Sequence, residues 1–116
     1  MKTLASINEK DIETIKMALN DSISDMNTEL KGNLSDKKRD TLFEYKMKYT
    51  RVFEKLKQTS SLYALSESDL DIVAGGLNDA IDLIDENITD DLTNEEKEEF
   101  LTYKSDCLRL ISILSS

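Results

Sequence analysis

The sequence predicts an all-α fold, a four-helix bundle made of two tandem antiparallel helical hairpins. Three observations carry that expectation: 116 residues hold no proline and only three glycines, apolar residues recur at helical spacing, and the chain repeats itself without a gap at an offset of 58 residues. Ile7 to Leu56 align with Leu65 to Leu114 with eleven identities over fifty positions. The identities include Asp11 with Asp69, the run Leu19-Asn20-Asp21 with Leu77-Asn78-Asp79, Tyr45-Lys46 with Tyr103-Lys104, and Arg51 with Arg109. A single domain spanning 1–116 is expected, with hairpin 1 at about 7–58 and hairpin 2 at about 65–116. That length buries a sizeable core without disulfides or a structural metal.

The first helix is predicted from the stripe Ile12, Ile15, Leu19, Ile23, Met26, Leu30, whose steps of three and four give one apolar face. Its start is marked by Asn8 as a cap with Asp11 three residues on, and by Ile7 and Ile12 at the spacing of a hydrophobic staple. After a turn near 31–35, Ser35 caps the second helix, with Leu42, Tyr45, Tyr49, Val52, Phe53 and Leu56 as its core stripe. Residues 57–65 form a packed connector, with Leu62, Tyr63 and Leu65 expected to pack beneath it.

The third helix repeats the first: Ser66 and Asp69 stand for Asn8 and Asp11, and Leu70, Val73, Leu77, Ile81, Ile84 and Ile88 form the stripe. A turn near 89–93 leads to Thr93 and Glu96, a capping box for the fourth helix. That helix carries Phe100, Tyr103, Cys107, Leu110, Ile111 and Leu114. One hairpin alone would leave its stripe in water, so the two are expected to pack on each other within one chain. A homodimer with exchanged hairpins satisfies the same stripes and is the alternative, so the expected state is monomer or homodimer.

Composition excludes much chemistry. The absence of histidine removes His-based acid–base catalysis, Ser-His-Asp and Cys-His nucleophiles and His-containing zinc sites. Cys107 is the only cysteine, lies on the core stripe and reads as a small buried hydrophobe. No Gly-Lys-Ser/Thr follows Gly75-Gly76, so there is no phosphate loop. No enzyme activity and no cofactor are expected. The start MKTLASINEK has no apolar run resembling a signal peptide, no stretch is long and apolar enough to cross a bilayer, and an acidic chain is repelled by anionic lipid. A cytoplasmic protein without a membrane role is expected.

The net charge of −9 is divided unevenly. Residues 1–58 carry 12 Lys/Arg against 10 Asp/Glu, whereas residues 59–116 carry 3 against 14. On a helical projection Asp71, Gly75, Asp79, Asp82 and Glu86 fall opposite the Leu77/Ile81/Ile84 stripe, as an outward acidic ridge. Their counterparts Glu13, Met17, Asp21, Ser24 and Thr28 are far less charged. The ridge continues through Asp90, Asp91, Glu95 and Glu98. Like charges four residues apart, and acids near a helix C-terminus, each cost a few tenths of a kcal/mol, and unexplained violations of that kind mark functional surface. Gly75-Gly76, where the first copy has Met17-Ala18, adds a helix-propensity cost of up to about 2 kcal/mol. Close approach of another helix at Gly76 and Ala80 accounts for it structurally; a partner's backbone at Gly75 accounts for it functionally.

The expected function is a non-enzymatic, acidic protein–protein interaction module, an inhibitor or nucleic-acid-mimic decoy that binds the basic surface of a partner such as a nucleic-acid-binding protein. Direct nucleic-acid binding is not expected, because the charge has the wrong sign. A self-associating adaptor bundle is the alternative. A third reading takes Asp85, Asn87, Thr89 and Glu96 as ligands of a calcium loop resembling an EF-hand, against which stand Asp90 where that loop needs glycine and Ile88 on the helical stripe.

Overall fold

The computed structural model describes residues 4–115 and contains four α-helices: α1 (Glu9–Leu30), α2 (Asp36–Thr59), α3 (Glu67–Asn87) and α4 (Asn94–Ser115). Short 3₁₀ turns occupy Leu4–Ser6 and Leu62–Ala64, and no strand occurs among the described residues. The predicted starts are where the capping chemistry placed them. Asn8 accepts from the Asp11 amide at 2.9 Å while the Asp11 carboxylate accepts from the Asn8 amide at 3.2 Å. Ser66 and Asp69 repeat the box at 3.1 and 3.2 Å, and Thr93 and Glu96 form a third. Ser35 caps α2 through the Lys38 amide. At the end of α1 the Arg39 guanidinium donates to the Leu30 carbonyl at 2.6 Å, a cation at the negative pole of the helix.

Hairpins α1–α2 and α3–α4 pack against each other as a bundle. The helices are not equivalent within it. Buried positions are spread widely over α1 and α3, from Asp11 to Met26 and from Asp69 to Ile84, whereas α2 buries only Tyr49, Val52 and Leu56, and α4 only Cys107, Leu110 and Leu114. Accordingly α1 packs on α3, while α2 and α4 each lean on both of these central helices and scarcely meet. The molecule is flat, 43 × 38 × 24 Å, with α2 and α4 on opposite sides of the α1/α3 layer.

Gly76 lies at the α1/α3 crossing. A Cβ there would come within 2.8 Å of Leu19 Cδ2, so the predicted close approach of a second helix is what this glycine serves. Two expectations about the core need correction. Tyr63 is 71% exposed, because Leu62 and Leu65 share one side of a three-residue turn and Tyr63 lies a third of a turn away. Tyr45 is 50% exposed, its place in the core being taken by Tyr49 one turn on.

Candidate functional site

The repeated polar residues turn out to tie the hairpins together. Arg109 on α4 donates to buried Asp11 on α1 at 2.6 Å; in the other half Asp69 on α3 is held by Lys55 of α2 at 2.7 Å, with Arg51 further off at 3.7 Å. The Arg109 hydrogen bond holds the Asp11 carboxyl below its ordinary value, and the Lys55 bond does the same for Asp69. The tyrosines form a second layer. Tyr103 of α4 donates to Asp21 at 3.2 Å, and Tyr49 of α2 donates to Asp79 at 3.1 Å, with Ser22 also donating to Asp79. Burial, more than any neighbour, pushes both tyrosines well above the usual phenol range, so they remain neutral donors.

This layer relocates two of the predicted ridge residues. A Cβ on Gly75 would lie 2.8 Å from the Tyr49 hydroxyl, so Gly75 faces α2 rather than solvent and exists to admit that ring. Asp79 is half-buried in the same junction. The projection failed here because α3 is a central helix with neighbours on three sides, so its outward arc is narrower than a single apolar stripe implies. Asp82 and Glu86 remain exposed as predicted.

Flanking the α1/α3 crossing are two grooves of similar size, about 360 and 410 Å³. The first, on the α2 side, is lined by Ser22, Asp25, Met26, Glu29, Leu42, Asp79, Asp82, Leu83 and Glu86. The second, on the α4 side, is lined by Asp21, Ser24, Asp25, Ala80, Leu83, Ile84, Asn87, Phe100 and Tyr103. They are the same groove under the 58-residue offset: Met26, Glu29 and Leu42 become Ile84, Asn87 and Phe100, while Asp79 and Asp82 become Asp21 and Ser24. Asp25 and Leu83, themselves counterparts, line both.

Their chemistry differs. The first groove gathers five carboxylates from two helices and no cation in its lining, against two carboxylates in the second. Among the described residues Asp25, Glu29, Asp82 and Glu86 have no ion-pair partner. Burial pushes the Asp79 carboxyl above its ordinary value, Asp82 and Asp25 push it further, and the bonds from Tyr49 and Ser22 pull it back. Such a groove accepts hydrogen bonds and offers an unneutralised negative field to a cation. Asp25 and Glu29 went unread in the sequence because hairpin 1 is nearly neutral in sum. Only the crossing of α1 over α3 brings them beside Asp82 and Glu86.

The remaining predicted residues lie outside the groove. Asp71 is exposed eleven residues before Asp82, about 16 Å along α3. Asp90, Asp91, Glu95 and Glu98 are exposed on the α3–α4 turn and the start of α4, where a hydrogen bond from Thr89 holds the Asp91 carboxyl below its ordinary value. The calcium-loop residues are engaged elsewhere. α3 continues to Asn87, whose amide donates to the Leu83 carbonyl, Asp85 pairs with Lys104 at 2.7 Å, and Glu96 caps α4. Among the described residues no three His, Cys, Asp or Glu side chains converge so as to hold a metal ion. Cys107 is fully buried, and burial pushes its thiol up to about 12, which leaves it protonated and inert.

The fold and its grooves thus define a duplicated-hairpin all-α bundle, in which no helix among the described residues is long and apolar enough to cross a membrane. Comparison with protein-family models, curated proteins and solved structures finds no match.

Proposed function

We propose that this chain is a non-enzymatic docking protein whose carboxylate groove, between α1 and α3 on the α2 side, binds a lysine- or arginine-rich surface of another protein. One observation carries the reading: of two grooves of similar size at equivalent positions of the repeat, one is lined by five carboxylates, Asp25, Glu29, Asp79, Asp82 and Glu86, without a neutralising cation, and the other by two, Asp21 and Asp25. The fold does not call for an acid at every one of these positions, since the counterparts of Asp82, Glu29 and Glu86 are Ser24, Asn87 and Thr28. Mutual repulsion of the acids lowers stability, and a basic partner relieves it on binding. α3 as a whole carries seven Asp/Glu and no Lys or Arg, which steers such a partner from a distance. An inhibitor that occupies the nucleic-acid site of its target is one form of this function.

Titration with a lysine- and arginine-rich helical peptide tests it. Reversing Asp25, Asp82 and Glu86 to lysine is expected to weaken binding at least tenfold, about 1.4 kcal/mol, whereas reversing Glu95, Glu98 and Glu99 changes net charge equally and leaves most of the affinity. Asp79 is left intact because it holds Tyr49. Equal losses in both variants would mean that net charge alone, and not the groove, attracts the peptide. Displacement of a captured target by nucleic acid distinguishes the decoy form.

A further inference from the structure

A larger cavity, about 600 Å³, opens beside the carboxylate groove and shares Glu29 and Leu42 with it. Its wall is mostly apolar. Leu34 and Leu42 are half-buried there, and Tyr45, Thr41, Lys37 and Lys38 line it from the first turns of α2. Under the 58-residue offset Lys37, Lys38 and Thr41 become Glu95, Glu96 and Glu99, and Tyr45 becomes Tyr103. Tyr103 is turned inward onto Asp21, whereas in hairpin 1 Tyr49 makes the corresponding tie to Asp79 and leaves Tyr45 50% exposed. The identical tyrosine is therefore used by the fold in one copy and presented to the cavity in the other.

We propose that the partner's basic segment carries a large apolar side chain one helical turn beyond its lysines and arginines, and that this side chain fills the cavity while they lie in the carboxylate groove. The proposal rests on that groove being the docking site. Glu29 belongs to both walls, and Asp25 lies four residues, about 6 Å, before it along α1, so one continuous segment spans the two. Charge divides them. The groove lining holds no cation, whereas the cavity carries Lys37 and Lys38, which repel a further basic residue and cover an apolar one with their aliphatic stems. A uniform polycation is then held by the groove alone, and a segment with an apolar end is held by both.

Calorimetric titration of the full chain compares two helical peptides with the same Lys/Arg run. One has leucine a turn beyond each end of the run and the other has alanine there, so that both directions of lie are sampled. The leucine peptide is expected to bind about tenfold more tightly. Tyr45→Ser is expected to remove most of that gain and to leave the affinity of the alanine peptide unchanged, while Tyr63→Ser, at an exposed tyrosine outside the cavity, leaves the gain intact. Equal affinity of the two peptides for the native chain overturns the inference, as does a leucine gain that survives Tyr45→Ser in full; in either case an alanine peptide still held by the groove leaves the docking function standing. An alanine peptide whose affinity ignores reversal of Asp25, Asp82 and Glu86 refutes the groove itself, and this inference with it.

Discussion

The two grooves beside the α1/α3 crossing are lined from equivalent positions of the repeat and differ most in their charge. Both rest on the same helix crossing and both sit beneath a tyrosine–aspartate tie, Tyr49 to Asp79 in one and Tyr103 to Asp21 in the other. Where the groove on the α4 side has Ser24, Asn87 and Phe100, the groove on the α2 side has Asp82, Glu29 and Leu42, while Asp25 and Leu83 line both. The difference separates what the fold needs from what it tolerates. The crossing, the caps and the aspartates Asp21 and Asp79 are kept in both copies, whereas the lining charge differs, and the proposed docking role rests on that difference.

The ties themselves are asymmetric: Tyr49 aligns with Cys107 and packs against Gly75, where the first copy has Met17. Gly75→Ala is expected to destabilise the native chain by about 1 kcal/mol, because the new Cβ meets the Tyr49 hydroxyl at 2.8 Å. In a Tyr49→Phe background that hydroxyl is gone, the next ring atom stands at 3.8 Å, and the same change is expected to stabilise by up to about 1 kcal/mol through helix propensity. Denaturant melts of the four proteins measure a coupling of about 2 kcal/mol. No coupling would mean that Gly75 is not there to admit Tyr49.

A somewhat smaller effect separates the arginines. Arg109→Ala leaves Asp11 buried without its cation and is expected to cost about 1 to 2 kcal/mol, discounted because the guanidinium is half-exposed. Arg51→Ala, the counterpart, is expected to cost less than about 0.5 kcal/mol, since Lys55 holds Asp69 at the shorter distance. Acid melts read both kinds of carboxylate at once. Asp21 and Asp79 have folded values raised above 3.8, so protonating them as pH falls from neutral toward that value stabilises the fold. Asp11 and Asp69 have folded values below 3.8; their contribution is complete above 3.8 and is lost as pH falls through the lowered values. The melting temperature is therefore expected to rise on mild acidification and to fall again below the ordinary carboxylate range. A melting temperature that only declines as pH falls, with no rise before the carboxylate range, would contradict the raised values of Asp21 and Asp79.

The fold was legible because its signals are local and doubled: Asn8/Asp11 and Ser66/Asp69 cap at the same offset as the apolar stripes they precede. Gly76 was legible too, as a small residue inviting a helix. What could not be read was which helices are central. One stripe per helix places Gly75 and Asp79 outside, yet α3 touches three neighbours and both residues face Tyr49. Tyr45 was assigned to the core together with Tyr49, but α2 is peripheral and its buried arc is narrow enough to cover only Tyr49 of the two. The acidic character of hairpin 2 was visible in composition, but the groove was not, because two of its five carboxylates come from α1 and meet α3 only across a contact of high sequence separation.

The most direct test of the central claim returns the acidic groove to the residues its sister copy carries. Asp82→Ser with Glu86→Thr installs the counterparts Ser24 and Thr28. Titration of the basic helical peptide into this variant is expected to show affinity reduced about tenfold, with a fold at least as stable as the native one, about 0.5 kcal/mol or more in its favour, because like-charge repulsion has been removed. Unchanged peptide affinity in a folded variant would contradict the account.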